Sequence, residues 1–139
     1  MPGRRFLLFR LGGRVLAVPA EASREAFEPG RVTPLPLGHR ALLGLGAVHG
    51  RAVPLTDLAW LLGEPAPEGG LALLVETGGQ PLAFPVEAVL GFETLPPPTF
   101  APQELLAEDT ASDLGTLHHL DLAALAQTVR AQLGLLASA

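Results

Sequence analysis

The groups that could do chemistry are few in this chain, and each is badly placed to do it alone. His118 and His119 are the densest cluster of candidate metal ligands. They are adjacent on an expected strand, so their side chains point to opposite faces and cannot close on one ion. No third ligand follows at metal spacing. The serines Ser23, Ser112 and Ser138 sit in no nucleophile elbow, and there is no cysteine to act as nucleophile or thiolate ligand. Glu21 and Glu87 occupy equivalent places in an internal repeat, which points to a structural role in each copy rather than an acid/base pair. Gly44, Gly46 and Gly50 have the spacing G-x-G-x-x-x-G, which is not that of a dinucleotide loop. They open no long helix and lie in no βαβ unit. The expectation is therefore a protein that is not an enzyme, with no catalytic residue, no cofactor and no metal.

Composition excludes further classes. The 139 residues suit one domain over 1–139, large enough to fold without disulfides. The net charge is −5 and lysine is absent, so a nucleic-acid surface is not expected. No apolar run approaches the roughly 18 residues of a membrane span. The start, MPGRR before Phe6–Phe9, makes a poor export signal because Arg10 interrupts the apolar run and no small-residue cleavage pattern follows. A cytoplasmic protein without direct membrane insertion is expected. Fourteen prolines and sixteen glycines call for many short elements rather than a helical bundle.

Those elements can be placed by pattern. Phe6–Leu11 and Val15–Val18 are strands around a Gly12-Gly13 turn, and Pro19 ends the second. Ala20–Phe27 contains good helix formers and is expected to be a short helix. Leu11–Ala22 then returns as Thr77–Ala88, with seven identical positions and an apolar strand ahead of each copy. This repeat, around 6–22 and 71–88, predicts two small β subdomains related by an approximate two-fold, joined by the polar loop 64–70. Arg31–Pro36 is extended because each proline restricts its predecessor. Leu90–Leu95 and Leu114–Leu122 are further strands, and Gln103–Ser112 is an acidic surface segment. Asp121 caps a helix whose stripe is Leu122, Leu125, Ala126, Val129 and Leu133.

The middle of the chain, Ala41–Gly63, reads ALLGLGAVHGRAVPLTDLAWLLG. It turns at His49-Gly50-Arg51, continues as a strand that Pro54 is expected to end, and enters a helical turn capped by Thr56 or Asp57. Leu58, Leu61 and Leu62 form the apolar face of that turn. This segment resembles the signature of the CheW-like domain, the adaptor fold of bacterial chemosensory signalling, which runs G-x-x-N-L-R-G-x-x-x-P-x-x-D-L. Gly44, Gly50, Pro54, Asp57 and Leu58 fall in register with it. Ala47 stands where the family has Asn, and His49 where it has Arg. The resemblance extends from about Phe6 to Leu133, carried by the order of the elements and ending in L-x-x-L-D-L-x-x-L over Leu117–Leu125.

The resemblance implies a mainly β fold of two five-stranded β-barrel subdomains with short helices and a C-terminal helix. It implies a scaffold that binds the regulatory domain of a chemotaxis-type histidine kinase at one barrel edge. The cytoplasmic tip of a methyl-accepting receptor would lie in the groove between barrels. By position, the candidate contacts are Leu43, Leu45, Val48 and the edge Arg51, Ala52 and Val53. It also places Glu25 opposite His49, where the family pairs an acid with its Arg. Glu25 as a solvated helix residue and His49 as a turn residue is the other reading. The alternative function is a divergent small β-barrel that binds a ligand and has left the kinase.

Overall fold

A computed structural model describes residues 3–34, 41–102, 104–107, 110–112 and 115–138. Ten strands and two helices follow in order: β1 (Arg4–Leu11), β2 (Arg14–Pro19), β3 (Ser23–Phe27), β4 (Leu42–Val48), β5 (Arg51–Thr56), α1 (Leu58–Leu62), β6 (Leu71–Thr77), β7 (Gln80–Val86), β8 (Ala88–Leu95), β9 (Thr110–Ser112), β10 (Gly115–His119) and α2 (Leu122–Ser138). They form two five-stranded sheets, ordered β8-β1-β2-β10-β9 and β3-β6-β7-β5-β4. This is the mainly β architecture of two subdomains that the resemblance implies.

The two halves of the chain carry the same plan and exchange parts. Each half runs hairpin, lone strand, second hairpin, helix. The lone strand β3 leaves its own hairpin and pairs antiparallel with β6, from Ser23↔Val75 to Phe27↔Ala72. Its counterpart β8 leaves β7 and pairs with β1, from Arg4↔Leu95 to Arg10↔Ala88. The second hairpins cross over as well. β5 lies parallel to β7 at Leu55↔Ala83, and β10 lies parallel to β2 at His118↔Leu16 and His119↔Ala17. Each sheet therefore contains one hairpin from its own half and three strands from the other.

Three apolar clusters follow from this weave. Successive strand residues face opposite sides, so a strand buried on both sides reads as a continuous apolar run. Along β1, Leu7, Phe9 and Leu11 enter a central core with β6, β7 and the inner faces of both helices. Phe6 and Leu8 turn the other way and join Val15, Ala17, Leu95 and Leu117. The second sheet encloses Val48, Val53, Leu55, Ala72, Leu74 and Ala83. Phe9 and Phe84 meet at the middle, with ring centroids 5.4 Å apart. These side chains pack into the interiors of both subdomains.

Several local expectations need correction. Ala20–Phe27 is not a helix: only Ala20–Ala22 make a 3-10 turn, and Ser23–Phe27 are strand β3. The open side of β6 outweighs the helix propensity of Ala and Glu, which amounts to tenths of a kcal/mol per residue. Pro54 does not end its strand; β5 continues to Thr56, and its pairing with β7 falls at Leu55, beyond the proline. The loop 64–70 is anchored, because the Glu64 carboxylate accepts from the Gly13 amide at 2.9 Å and from Arg14 Nε at 3.0 Å. Within 103–112, Ala107 is buried and Leu106 bridges to Leu120, so this part is not merely surface. Residues 35 and 36, expected to be extended, lie outside the described residues. The Asp121 cap is present, its Oδ1 accepting from the Ala124 amide at 3.2 Å.

Gly44 shows how tightly the second sheet is closed. It sits at a break in the β4–β5 register with φ of 150°, and Thr33 exchanges two backbone hydrogen bonds of 2.9 Å with its neighbour Leu45. A Cβ at Gly44 would lie 2.3 Å from the Thr33 carbonyl oxygen, a backbone atom that cannot swing aside. Gly44→Ala should destabilise the fold by roughly 1–3 kcal/mol, read as a lower urea midpoint at unchanged slope. An unshifted midpoint would show that this closure carries no weight.

Candidate partner-binding surface

The turn between β4 and β5 is built from His49 and Gly50, both left-handed at φ of 51° and 77°. That is the geometry a two-residue hairpin prefers, and Gly adopts it freely. His49 is the only non-glycine at positive φ among the described residues. Its Nε2 lies 2.8 Å from Glu25 Oε1, a hydrogen bond that the imidazole N–H donates to the carboxylate. Glu25 is on β3 and His49 at the tip of β4, and these are the two edge strands of their sheet. Glu25 reaches His49 from a strand, not from the helix expected for it. The contact links one edge to the other, and Thr33, on the segment that follows β3, bridges to Leu45 on β4.

The remaining candidates divide by burial. On β4, side chains alternate, so Leu43 (40% exposed) and Leu45 face outward while Val48 faces the interior. Val53 is also interior, whereas Arg51 and Ala52 are exposed. The segment Arg51–Val53 is not a sheet edge, because β5 lies between β4 and β7. Its side toward β7 is nevertheless unpaired before Leu55. Glu25, Val48, His49, Arg51 and Val53 line one groove of about 280 Å³, completed by Arg24, Glu76 and Pro81 among others. Leu43, Leu45 and Ala52 lie outside it. Arg24 and Glu76 form an ion pair across this groove at 3.5 Å.

Sequence reasoning missed three exposed apolar side chains: Trp60, Val89 and Phe92. Trp60 stands one place out of phase with the apolar stripe of α1, which was the available signal. Phe92 lies on the edge strand β8 under the Arg5 guanidinium, 4.2 Å from its ring centroid. The other candidates for chemistry stay apart. Ser23 Oγ donates to the Ala20 carbonyl, Glu21 pairs with Arg4, and Gly44 and Gly46 belong to β4 rather than to a loop.

Among the described residues, two titratable groups are displaced from their ordinary range. The Gly13 amide holds the Glu64 carboxyl below its usual value; desolvation opposes this and Arg14 adds to it. Burial alone pushes His119 down. His119 is 1% exposed, its ring packs edge-on against Phe6 at 4.7 Å, and neither ring nitrogen has a hydrogen-bond partner among the described residues. His118 is half-buried on the opposite face of β10. Among the described residues, no three potential ligands gather at metal-binding distance.

The fold and this surface define a class: an interlaced pair of five-stranded β subdomains, with most candidate residues gathered on one of them. The chain belongs to the CheW-like domain family, which it matches over residues 5–126. It is 31% identical over 116 residues to protein FrzA of Myxococcus xanthus, covering 81% of this chain and 72% of that one. Its fold matches the crystal structure of the scaffolding protein TtCheW from Thermoanaerobacter tengcongensis with a TM-score of 0.72 at 18% identity, over 87% of this chain and 90% of that one.

Two predictions follow from these groups. The unfolded chain takes up a proton at His119 near 6.5, and the folded chain resists it. The unfolded state then binds more protons, so this contribution to stability is full above that value and declines as pH falls below it. Glu64 acts in a lower window, full above 4.5 and lost as pH falls through its depressed folded value. Urea midpoints should fall between about pH 7.5 and about pH 5.5, and His119→Leu should flatten that fall. For the exposed Glu25–His49 pair, a Glu25→Gln and His49→Ala double-mutant cycle should give a coupling below about 1 kcal/mol that shrinks with salt. A coupling of several kcal/mol would contradict the assignment of an exposed contact.

Proposed function

We propose that this protein is a non-catalytic cytoplasmic adaptor that couples methyl-accepting receptors to a chemotaxis-type histidine kinase. The output would be flagellar movement or twitching by type IV pili. The observation that carries this reading is the gathering of Glu25, Val48, His49, Arg51 and Val53 in one groove beside a clasped sheet edge, within a CheW-like domain. The outward Leu43 and Leu45 extend the surface along β4. Arg51 supplies an exposed cation, while Val48 and Val53 support the groove from within. His49 offers one N–H to Glu25 where an arginine would offer a fork of donors, so the contact leaves fewer donors for a partner. No helix among the described residues is long and apolar enough to cross a membrane. The role assigned here is to sit between a membrane receptor and its kinase.

Calorimetry with the regulatory domain of a chemotaxis-type kinase from the same genome tests this. Binding at about micromolar strength or tighter is expected, weakened about tenfold or more by Arg51→Glu or Leu43→Asp. Absence of binding to every such domain would overturn the kinase half of the proposal.

A further inference from the structure

The largest cavity, about 420 Å³, opens beside His119 at the β6–β7 turn, and its carboxylates are already engaged. Arg4 holds Glu21, Arg24 holds Glu76, and Asp121 caps the Ala124 amide. Backbone groups without a ladder partner lie instead where β5 and β7 begin. These strands run parallel and pair only at Leu55↔Ala83. Antiparallel partners alternate between bonded and non-bonded pairs. Counting from the two-residue turns, Val48↔Arg51 and Thr77↔Gln80 are bonded, so Leu45↔Pro54 and Glu76↔Pro81 are not. Leu45 bears this out, since its amide and carbonyl both go to Thr33. Ala52, Pro54 and Pro81 therefore turn their backbone toward the β5–β7 seam. Extending the ladder from Leu55↔Ala83 toward the strand starts needs a donor at residue 54, then one at residue 81. Both are proline and have no N–H. The seam stays open, and the Ala52 amide, the Ala52 carbonyl and the Pro81 carbonyl are left without a ladder partner.

Grooves flank this opening on both faces of the sheet. One, about 280 Å³, contains Val48, Val53 and Leu74. The other, about 230 Å³, contains Ala52, Pro54 and Leu82 and is walled by Ala126, Val129 and Leu133 of α2. Arg51 and Pro81 belong to both. Side chains of an extended strand alternate in the same way, so one segment laid in the opening reaches both grooves. Charge selects its sequence. Among the described residues, no carboxylate lines the α2 groove, and Arg51 is exposed and in no ion pair. Arg130 adds a second cation at the rim, donating to Gln80 Oε1 at 3.4 Å. In the other groove, Glu25 and Glu76 are engaged by His49 and Arg24. We propose that this opening binds, by strand addition, an extended segment of another protein whose residues alternate between apolar and acidic. Its backbone exchanges hydrogen bonds with Ala52, its apolar side chains lie against α2, and a carboxylate meets Arg51. The proposal goes beyond the adaptor reading: it specifies a peptide strand, and it would stand if no kinase domain bound.

The probe is acetyl-Val-Asp-Val-Asp-Val-amide, titrated into the full chain and followed by the NMR signal of the Ala52 amide. A saturable shift is expected, and the peptide with lysine in place of aspartate should bind at least about threefold more weakly. Methylating the valine amide nitrogens in one peptide and the aspartate ones in another blocks each flank of the strand in turn. One of the two should weaken binding about tenfold. Arg51→Glu should weaken the acidic peptide about threefold or more. Pro81→Val restores the donor facing Ala52, so it should close the seam, slow hydrogen exchange at residue 81 and abolish peptide binding. The proposal is overturned by no saturable shift at Ala52, by equal binding of the acidic and basic peptides, by full binding of both methylated peptides, or by undiminished binding in Pro81→Val. A dimer that forms with rising concentration and shifts the same signal without peptide would assign the opening to a second copy and overturn it too. Kinase-domain binding that persists while the peptide fails would sink this proposal alone and leave the adaptor reading standing.

Discussion

The reciprocal exchange of β3 and β8 is the constraint on which the rest of this structure depends. Each strand leaves the hairpin that precedes it and completes the sheet of the other half. Neither half can then satisfy its backbone alone, since β6 would lack β3 and β1 would lack β8. The exchange also brings Leu7, Phe9 and Leu11 of β1 against Leu73 and Val75 of β6 in one central core. The opposite faces of β1 and β6 are buried in the two outer clusters, so the two small subdomains share their stability through the same strands.

A sheet built this way still has edges, and the second sheet joins its own two. Thr33 bridges to Leu45, and His49 reaches Glu25 across the same gap. The His49 backbone is left-handed, a conformation that costs a side-chain-bearing residue roughly 1–2 kcal/mol relative to its preferred regions. Gly50 shares the turn and Glu25 receives the ring, so the hairpin register and the hydrogen-bond geometry define one arrangement. The family position filled here by histidine is thus a structural clasp. On the first sheet, β8 instead presents Val89 and Phe92 outward beside β1. The two edges differ in character although the halves share one plan.

The duplicated plan makes the departures between halves informative. The Asp-Leu step recurs, Asp57 capping α1 and Asp121 capping α2. After α1 the chain turns at once, through the left-handed Gly63, and Glu64 folds back onto the Gly13 amide. After Asp121 the helix runs on to Ser138 and lays Leu125, Ala126 and Val129 on the central core. The Gly78–Gly79 turn, which matches Gly12–Gly13, borders the open cavity near His119. One end of the molecule is closed by a carboxylate, while the other keeps a buried imidazole beside a cavity.

What the sequence determined by itself was everything held by near neighbours. The hairpins around Gly12-Gly13 and Gly78-Gly79, the Asp121 cap and the α2 stripe all arise from interactions within a few residues, so their signals lie within a few letters. The repeat and the ordered motifs from Gly44 to Leu58 placed the family and its two-subdomain fold. Tertiary structure decided the rest. Ala20–Phe27 has the composition of a helix, and only the edge of β6, some fifty residues away, makes its second part a strand. His118 and His119 are identical letters; the packing of Phe6 on one face of β10 makes His119 the buried one. Glu64 looked like loop polarity until the fold brought Gly13 to it. Hydrogen bonding and burial between distant segments depend on where the whole chain goes, and local propensity is too small to override them.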